Sequence, residues 1–535
     1  MQQLEQKRIS CIRQGKDVTA PADPRPAPSP GGNGGAEHLT ALAQEGYPLS
    51  IPRRGPLTAR VGLVGVGHDA YWPQFDGLHA EMRRKQTVVA NRLSNHGVSV
   101  SDFGLVDSAA TAYATVPKIK AADLDLLFVD MVTYATSSTF GTIARELKGL
   151  PIVLVALQPL KAMDYSNGTT YIQLCNDDFC SVPEFTGVAV RMGRPAPPVI
   201  LGHEVDDPQA EAEFTRWCGI AKALHDLRRG RLGLMGHTLD AMLDMHCDPT
   251  AITAAFGCHV PLLEPHDLLH HFDAAESAAI EAKKRAILDF FATPEPKSDP
   301  VTQKLTARDL DTAARAAVAL DGLIAQKDLT GLAYYYEGTT GSRIRTIVTN
   351  LIVGNSLLTG AGFPMCGEYD LKTCVAMLIM DRLGIGGSFA EFHPIDFTRE
   401  TVLVGHDGPH HINIADGKPV LRSLKKYHGK PGMGASVEFQ IKVGPITMLS
   451  IGQTAAGKFK FVVAEGQSER HPIPPTGNTN THGRFGKDVR GFLCRWVAEG
   501  PTHHFSLGIG HHADTIRLLA ECLGIECAIV TSHQF

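Results

Sequence analysis

Two glutamates and two histidines in the last third of the chain could together bind a divalent cation. Glu368 precedes an apolar helical stretch, where the free N–H groups of a first turn favour an ionised carboxylate. Glu391 shares a face of a mostly apolar strand with Phe389, an expensive place for a carboxylate that has no partner. His406 ends another apolar strand, and His504 is the second residue of a histidine pair.

Two carboxylates and two imidazoles form a mixed oxygen and nitrogen donor set. Such a set suits Mn²⁺, Co²⁺, Mg²⁺ or Fe²⁺ in roughly octahedral geometry with open positions, rather than a closed tetrahedral zinc site. Each of these residue types is more often structural when it is taken singly. Their combination is what indicates a metal centre with room for a ligand.

Two other motifs give weaker indications of a functional site. The segment 65–70 fits the dinucleotide fingerprint G-x-G-x-x-A, but Pro73 falls in the expected helix and the acidic residue of the next strand, Asp102, comes too late. We interpret it as a glycine-rich loop that a ligand can approach, and we predict no organic cofactor. His266 and His270 share a helix face without the glutamate of H-E-x-x-H, which favours a solvated face over zinc.

The elements that must position these residues divide the chain into four parts. Residues 1–56 are rich in Pro and Gly and predict a flexible extension. Short apolar runs alternate with helical stretches over 57–228 and again over 229–386, which predicts two Rossmann-like α/β domains with parallel sheets. Residues 387–535 carry closely spaced strands with Gly and Pro between them, which predicts an antiparallel, barrel-like β domain. Within it we predict a strand at 492–497 that leads to the histidine pair.

Composition excludes several classes of protein. The chain has 535 residues, of which 43% are hydrophobic and 20% charged, so it can form several ordinary cores. A net charge of −5 without basic stripes argues against nucleic acid or an acidic membrane as a partner. The 11 cysteines include no C-x-x-C pair, and neither a secretory signal nor a spanning segment is present, so we expect a cytoplasmic protein.

Four short motifs, in their order along the chain, resemble the metal-ligand motifs of the L-arabinose isomerase and L-fucose isomerase family. They are Gly367–Lys372, Ser388–Glu391, Val404–His406 and Thr502–His504. The resemblance extends to the first strand and loop, 65–71, and to 231–248, and so covers most of 57–535. It implies that Glu368, Glu391, His406 and His504 bind a divalent metal, commonly Mn²⁺ with Co²⁺ or Mg²⁺ as alternatives. It also implies that the two glutamates act as the acid/base pair.

The resemblance further implies two α/β domains and a β-rich domain in a homo-oligomer, a tetramer or hexamer, whose active sites are completed by a neighbouring subunit's N-terminal domain. From that domain we expect His68 and Tyr71 to contact the substrate. Gly67 stands where arabinose isomerases have a sugar-contacting Gln, and Leu371 replaces a family tryptophan. These departures indicate related chemistry on another sugar.

The chemistry that the resemblance implies matches the donor set. An aldose–ketose isomerase moves one proton between C1 and C2 and another between O1 and O2, and a metal that binds both oxygens stabilises the enediolate while a carboxylate takes the carbon-bound proton. A metal-assisted hydride shift would use the same ligands. Alternative hypotheses are a metal-dependent epimerase or lyase on a related sugar or sugar acid, and a non-catalytic sugar-binding protein.

Overall fold

The computed structural model describes residues 51–297, 299–427, 430–431 and 434–531. Residues 1–50, most of the predicted extension, lie outside the described residues. Along the described chain, two parallel sheets are followed by an antiparallel barrel. The predicted fold class, α/β with a β-rich C-terminal region, is confirmed, and the domain boundaries after residues 228 and 386 stay a prediction.

The first sheet has five parallel strands in the order β2-β1-β3-β4-β5. Its inner strands are apolar on both faces because helices cover both sides. The strand order reverses between β1 and β3, so the loops after these strands diverge and open a crevice at the carboxyl edge. The strands are β1 Arg60–Val66, β2 Ser99–Val106, β3 Leu126–Asp130, β4 Ile152–Gln158 and β5 Val199–His203, and the helices are α1 Leu78–Asn95, α2 Ala109–Ala121, α3 Ser137–Glu146, α4 Thr170–Cys175, α5 Val182–Arg191 and α6 Pro208–Arg229.

The second sheet is parallel and smaller, with the strand order β10-β9-β6-β7. The elements of this region are β6 Leu232–Met235, β7 Leu262–Leu263, β8 Thr302–Gln303, β9 Gly331–Tyr334 and β10 Met365–Cys366, with α7 Pro249–Phe256, α8 Pro265–Ala274, α9 Ser277–Phe290, α10 Ala307–Lys327, α11 Arg343–Val348 and α12 Ile352–Gly360. Single 3₁₀ turns occur at Asp69–Tyr71 and Leu243–Met245, and a third at Ile412–Ile414 in the next region.

The C-terminal region closes into a six-stranded antiparallel barrel. Its strands follow the ring β17-β20-β11-β12-β19-β18, and β18 pairs back to β17. A seventh strand, β21, adds to β18 in parallel, and β13 pairs with both β16 and β8 in a separate small sheet. The elements are α13 Leu371–Arg382, β11 Gly386–Asp396, β12 Thr401–His406, β13 Val420–Leu424, β14 Lys426–Tyr427, β15 Lys430–Pro431, β16 Ala435–Glu438, β17 Gly444–Gln453, β18 Phe459–Glu469, β19 Thr479–Arg484, α14 Val489–Ala498, β20 Phe505–Ile509, α15 Ala513–Leu523 and β21 Glu526–Val530.

The predicted strand at 492–497 is wrong, because this segment belongs to helix α14. Val489, Phe492 and Trp496 recur at spacings of three and four, and all three are buried on one helix face. The run of apolar residues hides this period, and Phe492 and Trp496 pack under the barrel strand β11 through Phe392. His504 is therefore delivered by the turn between a helix and β20.

Helix α13 is buried along its whole length. A helix that is apolar all round belongs inside a core, and α13 packs between α6, β9 and the barrel strands β11, β17 and β20. Its N-cap is Asp370, whose carboxylate accepts a hydrogen bond from the Thr373 N–H at 3.0 Å. Asp381 lies in its last turn. The helix thus places one buried aspartate at each end.

The cysteines of the described chain are free thiols. Burial raises the pKa of Cys258 to about 11 and that of Cys218 to about 12, so both stay protonated and pack as small apolar residues. Among the described helices, none combines the length and the apolar character that a membrane crossing requires.

Asp130, at the carboxyl end of β3, is a buried acid with an incomplete set of partners. It is 2% exposed, and its Oδ2 has no hydrogen-bond partner among the described residues. Burial raises the pKa of Asp130 well above its usual range, and the charge of Lys85 opposes this only in part. A raised folded-state pKa contributes stability that is present below the unfolded value, near about 3.9, and is lost as pH rises through the folded value.

We expect Asp130→Asn to leave the thermal midpoint almost unchanged near pH 4 and to raise it progressively at higher pH, because the amide stays neutral. The gain grows by up to about 1.4 kcal/mol for each pH unit between the two pKa values. Thermal unfolding from pH 4 to 8 measures it, with the exposed Asp76→Asn as control. A difference from wild type that is the same at every pH would contradict this explanation.

Candidate metal centre

The structure brings the four predicted side chains together. His406 Nε2 lies 3.8 Å from Glu368 Oε1 and 3.8 Å from Glu391 Oε1, and His504 Nε2 lies 3.8 Å from Glu368 Oε2. The two imidazole rings have their centroids 5.3 Å apart. Donor atoms of Glu368, His406 and His504 all fall within 4.8 Å of one another. These separations leave space for one ion between the donors.

Strand register explains why three of the four meet. β11 lies between β12 and β20 in the barrel, with Glu391 paired to Gly405 and Ala390 paired to Phe505. His406 is therefore one residue beyond the partner of Glu391 on one side. On the other side, His504 is the residue before Phe505 and comes level with Glu391. Two neighbouring strands thus present their imidazoles on both flanks of one carboxylate.

Glu368 reaches the cluster through a strained turn. Its φ is 60° and that of Tyr369 is 63°, so two consecutive non-glycine residues are in the left-handed region. The Tyr369 N–H donates to the carbonyl of Tyr334 at 2.9 Å, which ties the turn to the end of β9. Helix α13 begins at Leu371, so Glu368 lies just outside the helix rather than in its first turn.

An aspartate lies beside the other nitrogen of each imidazole. Asp370 Oδ2 lies 3.1 Å from His504 Nδ1, and Asp407 Oδ1 lies 3.1 Å from His406 Nδ1. The Nε2 atoms are left facing the glutamates. This carboxylate–imidazole arrangement is how metal-binding histidines are usually fixed in tautomer and direction.

The charges at the site are coupled. Burial alone would lower the pKa of His406, but hydrogen bonding to Asp407 and the charges of both glutamates raise it to about 9. Burial lowers the pKa of His504, and the neighbouring imidazoles act in the same direction. Without an ion, the charges of the two glutamates therefore favour a protonated His406, whereas burial favours a neutral His504.

The donor atoms fit a divalent ion. Glu368 Oε2 and His504 Nε2 are buried and have no hydrogen-bond partner among the described residues. A buried donor set that is left unsatisfied costs free energy unless an ion completes it. Two carboxylates and two imidazoles with an open side suit Mn²⁺, Co²⁺ or Mg²⁺, as the sequence predicts.

A pocket opens beside the cluster. Phe389 packs against both imidazoles, with centroid distances of 4.5 Å to His406 and 4.3 Å to His504, and closes that side to water. The rest of the lining includes the aromatic side chains of Tyr334, Tyr336 and Tyr427 and the charged side chains of Arg345 and Glu337. Such a pocket can hold a small polar molecule against the donor set.

His68 and Tyr71 do not line this pocket. They lie in the loop after β1, at the carboxyl edge of the first sheet, with ring centroids 5.0 Å apart. The glycine-rich segment there leads into a 3₁₀ turn at Asp69–Tyr71, and α1 begins only at Leu78. His266 and His270 lie on α8 outside the metal-binding groups of the described residues.

Sequence reasoning missed the aspartates around the site. Asp370 is inside the motif that carries Glu368, and Asp407 directly follows the motif that ends at His406; this nearness to the ligands is the signal that could have found them. Asp244 gives no such signal. It accepts hydrogen bonds from the backbone N–H of His503 at 2.9 Å and from its Nδ1 at 2.7 Å, and so fixes the residue before His504.

We expect Glu368→Gly to stabilise the metal-free protein by roughly 1 kcal/mol or more, because it relieves a left-handed φ and removes a crowded carboxylate. The thermal midpoint in the presence of a chelator measures this. Asp328→Gly is the matched control, since Asp328 has a φ of 51° at the end of α10 but faces no such cluster. Equal gains in thermal midpoint in the two variants would show that the stabilisation comes from the backbone alone and not from removal of the Glu368 carboxylate.

Comparison with known proteins gives distant relatives. No protein-family model matches the chain. Two solved structures, a C2-type ketoreductase from a modular polyketide synthase and a periplasmic sugar-binding protein from Legionella pneumophila, are each 11% identical, with TM-scores of 0.19 and 0.13. They cover 59% and 61% of this chain and 82% and 97% of their own. TM-scores this low give no evidence of a shared fold.

Three curated relatives are L-arabinose isomerases. The protein from Yersinia enterocolitica is 24% identical over 361 residues, 65% of this chain and 69% of the relative. That from Aeromonas hydrophila is 23% identical over 357 residues, with the same shares. That from Pectobacterium carotovorum is 24% identical over 370 residues, 66% of this chain and 71% of the relative. The chain is therefore a distant homologue of the L-arabinose isomerases.

Proposed function

We propose that this protein is a divalent-metal-dependent aldose–ketose sugar isomerase that acts through an enediolate. The observation that carries the proposal is the convergence of Glu368, Glu391, His406 and His504, with two buried donors left without partners, in a homologue of L-arabinose isomerases. We assign these four side chains as the ligands of a divalent ion, Mn²⁺ by preference and Co²⁺ or Mg²⁺ as alternatives.

The two glutamates are assigned the proton transfers. When bound, the ion supplies Lewis-acid polarisation of the sugar carbonyl. One carboxylate takes the proton from C2 of the aldose and returns it to C1 of the ketose, while the other moves the hydroxyl proton between O2 and O1. Glu368 lines the pocket, and Glu391 is the more exposed of the two, at 24% against 14%.

We propose that the active protein is a cytoplasmic homo-oligomer, a tetramer or hexamer. In it, the N-terminal domain of a neighbouring subunit places His68 and Tyr71 over the pocket. Both rings are half-buried and form an aromatic group with Tyr134, at 6.3 Å from His68, which offers faces and hydroxyls for a sugar. The free thiols among the described cysteines suit a reducing compartment.

We expect Glu391→Gln to lower kcat on the best aldose by roughly 10²–10⁴-fold, because the amide can accept no proton, while the thermal midpoint stays near that of wild type. A chelator should abolish turnover and added Mn²⁺ should restore it. A screen of pentoses, deoxyhexoses and sugar acids, with products identified by NMR, measures these effects, and Glu295→Gln, on the surface, is the control.

Full activity of the Glu391 variant would overturn the assignment. Epimerised or cleaved products would favour an epimerase or a lyase, and binding of sugar without a tightly held ion would favour a sugar-binding protein.

We expect Asp370→Asn to weaken Mn²⁺ binding by about 10–100-fold, because the amide no longer fixes the tautomer of His504. Calorimetric titration with Mn²⁺ measures the affinity without any turnover. Asp514→Asn, on an exposed helix start, is the matched control. An unchanged affinity would show that Asp370 serves only as the cap of α13.

A further inference from the structure

The described chain begins with a short segment, residues 51–54, that contacts Ala361, Asp381 and Asn413. The Ile51 N–H donates to Asn413 Oδ1 at 3.1 Å, and the Arg54 N–H donates to the carbonyl of Ala361 at 3.0 Å. We call residues 51–54 the strap. Its backbone is thus fixed at two points on either side of Arg53.

Arg53 pairs with a buried carboxylate. Its two terminal nitrogens donate to the two oxygens of Asp381, at 3.0 and 2.6 Å, in the bidentate geometry that guanidinium and carboxylate favour. Asp381 is only 4% exposed, against 32% for Arg53. Gly362, with a φ of 83°, makes room for this group, because a Cβ there would lie 2.5 Å from Arg53 Nη2.

Asp381 is a junction between the strap and the interior. His411 Nε2 lies 3.1 Å from its Oδ1, and the neighbouring Arg382 also donates to it. Burial would raise the pKa of Asp381, but the hydrogen bonds from His411 and Arg53 and the charge of Arg382 hold it well below its usual range. The carboxylate is therefore ionised and needs all of these partners.

His411 ends the segment that forms one wall of the pocket. Asp407, Gly408 and Pro409 line the pocket, and residues 407–411 form this wall segment. The N–H of His411 donates to Ser388 Oγ at 3.3 Å, and Ser388 Oγ also lies 3.2 Å from His410 Nδ1. The wall segment is thus anchored to Ser388 at two points, through the backbone of His411 and the side chain of His410.

Ser388 links the wall segment to strand β11. It precedes Phe389, which packs on both imidazoles, and it shares β11 with Glu391. At the other end of the wall segment, Asp407 lies against His406 Nδ1. A displacement of His411 would therefore reach the donor set from both directions.

We propose that Arg53 is a positioning residue of the metal centre, which acts through Asp381 and His411 on the wall segment 407–411. The proposal rests on the proposed function, because it takes the cluster of Glu368 and His406 to be a metal site. Arg53 touches neither substrate nor ligands, and its role is to hold the acceptor of His411 in one place. Without the guanidinium, Asp381 is free to turn towards Arg382, and His411 then loses its acceptor.

The test compares two neighbouring arginines. Arg53→Ala should weaken binding of Mn²⁺ alone at least tenfold by calorimetry and lower kcat at least tenfold at saturating Mn²⁺, with a smaller change in KM. Arg54→Ala is the matched control, because Arg54 pairs with Asp321 at 3.3 Å on the exposed surface, and it should change neither value by more than twofold.

A double-mutant cycle shows whether the effect passes through Asp381. Asp381→Asn should reproduce the loss of Mn²⁺ affinity, and the double variant should lose no more than the worse single variant. Arg53→Lys should recover part of the affinity, because an ammonium keeps the charge but not the bidentate contact. This variant also serves if Arg53→Ala does not fold.

Several outcomes would overturn the proposal. They are Mn²⁺ affinity and kcat within twofold of wild type in Arg53→Ala, an equal loss in Arg54→Ala, and fully additive effects in the cycle. A wild-type protein that binds Mn²⁺ but isomerises no sugar would overturn the proposed function alone, since the Mn²⁺ comparison would still hold. A wild-type protein that binds no Mn²⁺ would overturn both.

Discussion

Two carboxylates approach the same imidazole nitrogen, and the centre of this protein is organised around the negative charge that they bring there. Glu368 and Glu391 both approach His406 Nε2 at 3.8 Å, in surroundings from which Phe389 excludes water on one side. In such surroundings charges are costly unless they are compensated. The raised pKa of His406 reflects the attraction of these charges for a proton, and a divalent ion that takes the place of that proton would compensate them further.

The supporting structure can be understood as a means of holding these donors in spite of that cost. Glu368 is kept in a left-handed backbone conformation that is unfavourable for a residue other than glycine, and Asp370 occupies the buried start of α13. Rigid elements carry every donor: two barrel strands, the turn into a third strand and the turn before a buried helix. Strain of this kind persists only where the surrounding packing determines the backbone, as at many functional sites.

Much of this could be predicted from local sequence. The strands that carry Glu391 and His406 are apolar runs bounded by Gly and Pro, and their chemistry-bearing residues stand out against that background. Helix α14 could not be predicted in this way, because apolar residues on both sides of Arg495 hide its period until the packing of Trp496 is known. Asp244 and Asp381 could not be predicted as parts of the site either. Their roles depend on contacts with His503 and His411, which no sequence spacing indicates.

Closure of the barrel limits how such a protein can vary. Because β18 pairs back to β17, no strand of the ring has a free edge, and a one-residue slip in any strand would have to be matched around the whole circuit. Insertions and deletions are then tolerated only in the connecting loops. Changes along this chain are therefore expected in the loops around the pocket, while the strands that carry Glu391 and His406 keep their register.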